Sequence, residues 1–180
     1  MDCKKLNIAV VFEGELQDGG GFQTQLSTML SLAKGQRYNL FAFVFSMENK
    51  IFLEEKQIQT ELVQINFLHR FYRKIFKTSV FSNLNKKIKL KTLFEKKLDK
   101  VNIDLVYFLS PSTFALDLVT HNYIFTIWDL CHRDMPEFPE VSSWRMFENR
   151  EKLYDRASKK AIAVLTDSEL GKSNAIRRYG

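Results

Sequence analysis

The 180-residue chain carries 27 Lys and Arg against 21 Asp and Glu, a formal net charge of +6, with 45% hydrophobic and 13% aromatic residues. That balance excludes a disordered or low-complexity polypeptide. The length is that of one domain, 1–180, able to bury about 70% of its unfolded surface, and no uncharged apolar run approaches the ~20 residues of a membrane span.

Leu6-Asn-Ile-Ala-Val-Val-Phe12 reads as a buried central strand. As an apolar run it is too short for a signal peptide and is followed at once by Glu13. Asp18-Gly19-Gly20-Gly21 forms a turn, and Phe22, Leu26, Met29, Leu30 and Ala33 then recur at helical spacing until Gly35. Strand, glycines, helix is the opening of a mononucleotide-binding unit. A second buried strand is predicted over Asn39–Ser46, a short polar helix over Glu48–Gln57 and a weaker strand over Glu61–Asn66. Strands alternating with helices predict a Rossmann-like parallel α/β sheet flanked by helices.

Residues 70–100 change character. Eleven Lys or Arg face only Glu95 and Asp99, a local net charge of +9, and apolar residues including Phe71, Phe76, Phe81 and Phe94 are interleaved at roughly helical spacing. This is the pattern of one or two basic amphipathic helices. A solvated helical face is the plain reading. Contact of Lys86, Lys87, Lys89 and Lys91 with an anionic membrane surface is the functional one. Nucleic acid is disfavoured, because no DNA- or RNA-binding module surrounds the charges.

Asp104–Ser110 is a further strand, ending in the polar turn Ser110-Pro-Ser112; a short helix or irregular crossover follows at 114–119. Tyr123–Trp128 is β-branched and aromatic, a buried strand that breaks into Asp129, His132, Arg133 and Asp134. Pro136 and Pro139 should hold that cluster on a loop of fixed course. A helix follows, capped by Ser142 or Ser143, with Trp144, Phe147, Tyr154 and Ala157 on its apolar face. The strand Ala161–Thr166 and a helix over Glu169–Arg178, capped by Ser168, complete the pattern.

Chemistry is expected where strands end, because ligands of open parallel sheets bind at the carboxyl edge. Gly19, Gly20 and Gly21 let backbone N–H groups approach phosphate or sugar hydroxyls, although the turn is neither a dinucleotide fingerprint nor a Walker loop. Glu13 and Ser110 end two strands on that edge and could touch an acceptor hydroxyl or cap their loops. His132 reads as a functional or a structural histidine, and Arg133 as a ligand contact or a partner of Asp134 or Glu137. Cys3 and Cys131, the two cysteines, read as reduced cytoplasmic thiols, and Cys131 with His132 lacks the two further ligands a metal site needs.

Thr126-Ile-Trp-Asp-Leu-Cys-His-Arg133, Pro136-Glu-Phe-Pro-Glu140, Arg150-Glu-x-x-Tyr154, and Thr166-Asp-Ser168 with Tyr179-Gly180 resemble, in order and spacing, the amino-terminal half of a family 4 glycosyltransferase of the GT-B fold. The first strand and its glycine turn fit the same resemblance. It implies a retaining transfer of a hexose-type sugar from a nucleotide-sugar donor to the hydroxyl of a glycan or lipid-linked acceptor, in building a lipopolysaccharide- or capsule-type surface glycan. It implies no metal and no cofactor. His132 would face the donor sugar, Asp129 would orient its loop, and the glycines would lie near the donor's diphosphate. The nucleotide-binding domain of such enzymes, with its Glu-x7-Glu segment, is absent from these residues, so the 180-residue chain alone is expected to be inactive. The resemblance also favours work at the inner face of the membrane. The competing class is a non-enzymatic α/β module that binds an anionic surface or nucleic acid through residues 70–100.

Overall fold

The computed structural model describes residues 4–15, 19–35, 37–65, 90–135, 137–138 and 145–180. Six strands form one parallel sheet: β1 (Leu6–Phe12), β2 (Tyr38–Val44), β3 (Gln59–Leu62), β4 (Leu105–Phe108), β5 (Asn122–Ile127) and β6 (Ala163–Thr166), in the order β3-β2-β1-β4-β5-β6. Helix α1 (Gly20–Ala33) joins β1 to β2, and α2 (Met47–Glu55) joins β2 to β3. Helix α3 (Leu93–Lys100) precedes β4, and a 3-10 turn at Thr113–Asp117 precedes β5. Helices α4 (Cys131–Asp134) and α5 (Met146–Ser158) lie between β5 and β6, and α6 (Glu169–Tyr179) follows β6. This is the Rossmann-like α/β architecture expected from the alternation of strands and helices.

The unbroken apolar runs have a simple cause. Along β1, Ala9 and Val11 join the core on one face with Phe43, Val106, Phe108, Phe125 and Ile127, while Val10 and Phe12 join the other with Phe22, Met29, Ala42, Val44 and Leu53. A strand buried on both faces has no position at which a polar side chain is cheap. Helices α1 and α2 supply one layer, and α3, α5 and α6 supply residues to the other.

Some boundaries differ from the sequence reading. β3 begins at Gln59 and ends at Leu62, which pairs with Val44 at the end of β2, so the partner strand fixes its extent. The stretch expected to be loop at 131–134 is one turn of helix: the Asp129 carboxylate accepts the Cys131 N–H at 3.0 Å, and the turn stops at Met135, before Pro136. The expected caps Ser142 and Ser143 lie outside the described residues, as does Trp144; α5 begins at Met146, preceded by Arg145 in a left-handed conformation. Ser168 caps α6 as expected, its hydroxyl accepting the Gly171 N–H at 3.0 Å.

Helix α3 shows where the apolar half of the basic segment goes. Phe94 and Leu98 are fully buried, Phe94 packing edge-on to Phe43 and against Phe114. Glu95, on the same helix, is also fully buried. Its Oε1 accepts the backbone N–H groups of Val119, Thr120 and His121 at 2.9, 2.6 and 3.1 Å and the Thr120 hydroxyl at 3.0 Å, and it meets His121 Nδ1 at 3.1 Å. Burial acts to raise this carboxyl, but hydrogen bonds from His121, Thr120 and Val119 outweigh it and bring the pKa from 4.5 to about 2. Glu95 therefore anchors the chain entering β5 to α3 as a buried carboxylate.

Candidate functional site

The chain runs outward from β1 through β2 to β3, then returns to place β4 on the other side of β1. The two loops leaving β1 and β4 consequently set out in different directions at the carboxyl edge where the strand order reverses, the place at which open parallel sheets bind ligands in a crevice. Glu13 and Gly14 leave β1 there, Leu109 and Ser110 leave β4, and Trp128 and Asp129 leave β5 beside them.

The β1 exit is held from two helices. Gln25 of α1 accepts the N–H groups of Glu13 and Gly14 at 3.0 and 3.1 Å through Oε1, while Asn49 of α2 donates Nδ2–H to the Gly14 carbonyl at 2.7 Å. Both amides are 3% exposed, so water competes little for these bonds. A Cβ at Gly14 would stand 2.9 Å from Gln25 Nε2 and 3.2 Å from the Phe22 backbone, so the clamp requires glycine there. Ser110 Oγ lies 3.5 Å from Glu13 Oε2. Gly19 takes φ +57°, which favours glycine, and offers α1 no capping side chain. Added Cβ atoms at Gly19 and Gly20 would meet open space, whereas one at Gly21 would come within 3.3 Å of the Trp128 ring.

Trp128 was legible only as the end of a buried strand. It is in fact half-buried, and its Nε1–H donates to the Leu109 carbonyl at 3.1 Å while the far edge of the ring lies 3.3 Å from where a Cβ on Gly21 would stand. The indole thus reaches from β5 past the end of β4 to the start of α1. Gln25 and Asn49 were likewise invisible as site residues, since a polar side chain inside a helix carries no sign of the loop it will clamp.

The structure brings Glu13, Ser110 and Gly19–Gly21 to one edge, as expected. His132 is placed differently. It is fully buried, with its ring between those of Phe147 and Tyr154, each centroid 5.5 Å away. His132 Nε2 meets Glu151 Oε1 at 2.7 Å, and Nδ1 is buried without a hydrogen-bond partner among the described residues. A ring so enclosed does not face a bound sugar in this conformation; aromatic packing has drawn it inward. Arg133 pairs with neither Asp134 nor Glu137: its Nε donates to Glu151 Oε1 at 2.7 Å and its Nη2 to Glu151 Oε2. Asp134 instead pairs with Arg178.

Glu151 is thus a hub, accepting from Arg133, from the Tyr179 hydroxyl at 2.7 Å and from His132, and tying α4, α5 and α6 together. Burial alone would raise its carboxyl, but hydrogen bonds from Arg133, Tyr179 and His132 hold it at about 2, while the Arg133 guanidinium is pushed up, chiefly by its bond to Glu151. The only trace of the hub in the sequence was its place in the segment Arg150-Glu-x-x-Tyr154. Asp129, half-exposed, accepts from the Cys131 N–H and from Arg150 Nη1 at 3.1 Å, which fixes the loop leaving β5. Burial and the neighbouring Asp129 carboxylate push the Cys131 thiol up, away from a reactive thiolate.

Of the four lysines expected at a membrane, Lys86, Lys87 and Lys89 lie outside the described residues. Lys91 grips Asp99, its ammonium 2.7 and 2.9 Å from the two carboxylate oxygens. Phe94, expected to reach an acyl boundary, is in the core instead. Among the described residues no helix is long and apolar enough to cross a membrane.

No family model matches the chain, and no curated protein matches it either. Among solved structures it is similar to a glycosyltransferase from Rickettsia africae, with a TM-score of 0.52 and 14% identity, over 98% of this chain and 40% of that one. The chain therefore spans about two fifths of the length of the solved protein it matches, and shares its fold over that part.

Proposed function

We propose that the chain is the amino-terminal, acceptor-side part of a retaining glycosyltransferase of GT-B type, moving a sugar from a nucleotide-sugar donor to the hydroxyl of a glycan or lipid-linked acceptor in surface-glycan synthesis. The observation that carries this reading is the reversal of strand order, at which Glu13 on its clamped backbone meets Ser110 and an uncapped glycine-rich turn starts the next helix. The fold likeness to a solved glycosyltransferase over nearly the whole chain supports it.

In this reading the open backbone at Gly19 and Gly20 and the positive end of α1 meet the donor's negative charge. Glu13 and Ser110 orient an acceptor hydroxyl. His132 and Asp129 act as positioning residues: His132 through the Glu151 hub, Asp129 by fixing the turn that follows Trp128. The remaining length of a two-domain enzyme supplies the nucleotide pocket, and domain closure excludes water from the reacting centre. Lys86, Lys87 and Lys89 are proposed to hold the enzyme at an anionic membrane surface. The non-enzymatic alternative gains little from residues 90–100, which give Phe94 and Leu98 to the core, though Leu90 and Leu93 stay exposed, and two of their lysines, Lys91 and Lys97, to internal partners.

Transfer by the complete enzyme from a panel of UDP- and GDP-hexoses, with the product anomer assigned by NMR, tests the reading. Glu13→Gln should lower turnover at unchanged melting temperature. A product of inverted anomeric configuration, or full turnover in the variant, would contradict it.

A further inference from the structure

We propose that the Trp128 indole is a stacking platform for a pyranose ring, with the Glu13 carboxylate receiving a hydroxyl of that ring; this deepens the sugar-transfer reading and rests on it. The geometry is unusual for a residue that merely closes a strand. A hydrogen bond from Nε1–H to the Leu109 carbonyl fixes one end of the indole, and the far edge lies where a Cβ on Gly21 would stand 3.3 Å away, so the absence of a side chain there leaves the ring its place. Leu109 directly follows β4, the neighbour of β1, and Gly21 opens α1, the helix that follows the Glu13–Gly14 exit from β1. The ring therefore sits across the reversal of strand order, where a ligand of this fold would lie. It is half-buried, and it lines an open cavity at the same edge with Asp129, Asp167 and Asn174.

A pyranose presents apolar C–H bonds on its faces and hydroxyls around its rim. An aromatic plane suits the first and a carboxylate the second, so the pairing of a pinned indole with Glu13 and Ser110 matches that division. Pinning matters because a side chain already held in its binding rotamer loses little entropy when a ligand arrives. Gly21 belongs to the same device: a Cβ there would press within 3.3 Å of the ring and displace it by a few tenths of an ångström.

Trp128 and Trp144 are the two tryptophans of the chain, so Trp144→Phe leaves Trp128 as the single indole reporter. This single-tryptophan chain is titrated with methyl hexopyranosides, which represent an acceptor-type ring, and with UDP- and GDP-hexoses, which represent the donor. Saturable quenching by at least one of the two sets is expected, and the set that produces it identifies the ring's source. By saturation-transfer NMR, Trp128→Ala should weaken binding of the same probe about tenfold and Trp128→Phe, which keeps a ring, about threefold. Gly21→Ala, which keeps the indole but moves it, should also weaken binding, and melting curves confirm that these variants are folded. Unchanged affinity in Trp128→Phe and Gly21→Ala overturns the platform and leaves the transferase reading standing. No saturable response of the single-tryptophan chain to any probe overturns the platform too, while transfer by the complete enzyme decides the sugar-transfer reading separately.

Discussion

Glu95 and Glu151 place two ionised carboxylates inside hydrogen-bond networks, with consequences that can be worked out from sign alone. Each has its folded pKa depressed from 4.5 to about 2. The stabilisation each contributes is therefore present above pH 4.5 and is lost as pH falls from there toward 2. For the fully buried Glu95 the depression corresponds to about 3 kcal/mol. Glu95→Gln should lower the unfolding free energy at neutral pH by about that amount and flatten its decline below pH 4.5, as read by urea titrations at several pH values. Glu151 acts in the same window, so only the double variant with Glu151→Gln should lose most of the slope. At His132, truncation to alanine opens a cavity between Phe147 and Tyr154 and removes a donor from Glu151, a loss of about 2–3 kcal/mol. His132→Gln, whose amide can still donate to Glu151, should recover part of it in calorimetric melting. A His132→Ala chain as stable as wild type would show that the burial carries no energetic weight.

Among the elements, α3 distinguishes charge from packing most sharply. Phe94→Ala removes a fully buried ring that touches both Phe43 and Phe114, and should cost about 3–5 kcal/mol. Lys91→Gln breaks an ion pair whose members are about a third exposed, and should cost less than about 1 kcal/mol. Denaturant midpoints at unchanged slope separate the two, and the reverse ranking would mean that charge holds the helix in place. The basic amphipathic pattern was correctly legible as a helix here, but not what its apolar side would cover. A membrane and a protein core select the same sequence pattern, and only the packing partner distinguishes them.

For the molecule as a whole, the proposed function makes the carboxyl edge one wall of a larger site. The solved glycosyltransferase that shares this fold is much longer, with the match covering 40% of it. The 180-residue chain on its own should show no measurable transfer and only weak affinity for nucleotide sugars, in keeping with a nucleotide pocket built elsewhere. Calorimetry with UDP- and GDP-sugars checks this; sub-micromolar binding by the 180 residues would place the nucleotide site within them. If Trp128 and Glu13 do bind a ring, the weak binding that remains should depend on the sugar more than on the base.

The parallel sheet, and the gathering of Glu13, Ser110 and Asp129 at its carboxyl edge, followed from the sequence by itself. Runs of five or six largely apolar residues, ending at Glu13, Ser110 or Asp129 and alternating with helical segments, read as strands buried on both faces whose loops emerge on one side. Ser168 as a cap was equally local, since a helix start depends on the few residues around it. The fate of Glu95, His132, Arg133 and Trp128 was decided by tertiary structure. Each of these side chains can face solvent, a ligand or the interior without altering the local pattern. His121, Glu151, Leu109 and Gly21, which settle the matter, lie 18 or more residues away in sequence. Local spacing encodes which face of an element is apolar, whereas the partner waiting on that face is known only when the chain has closed upon itself.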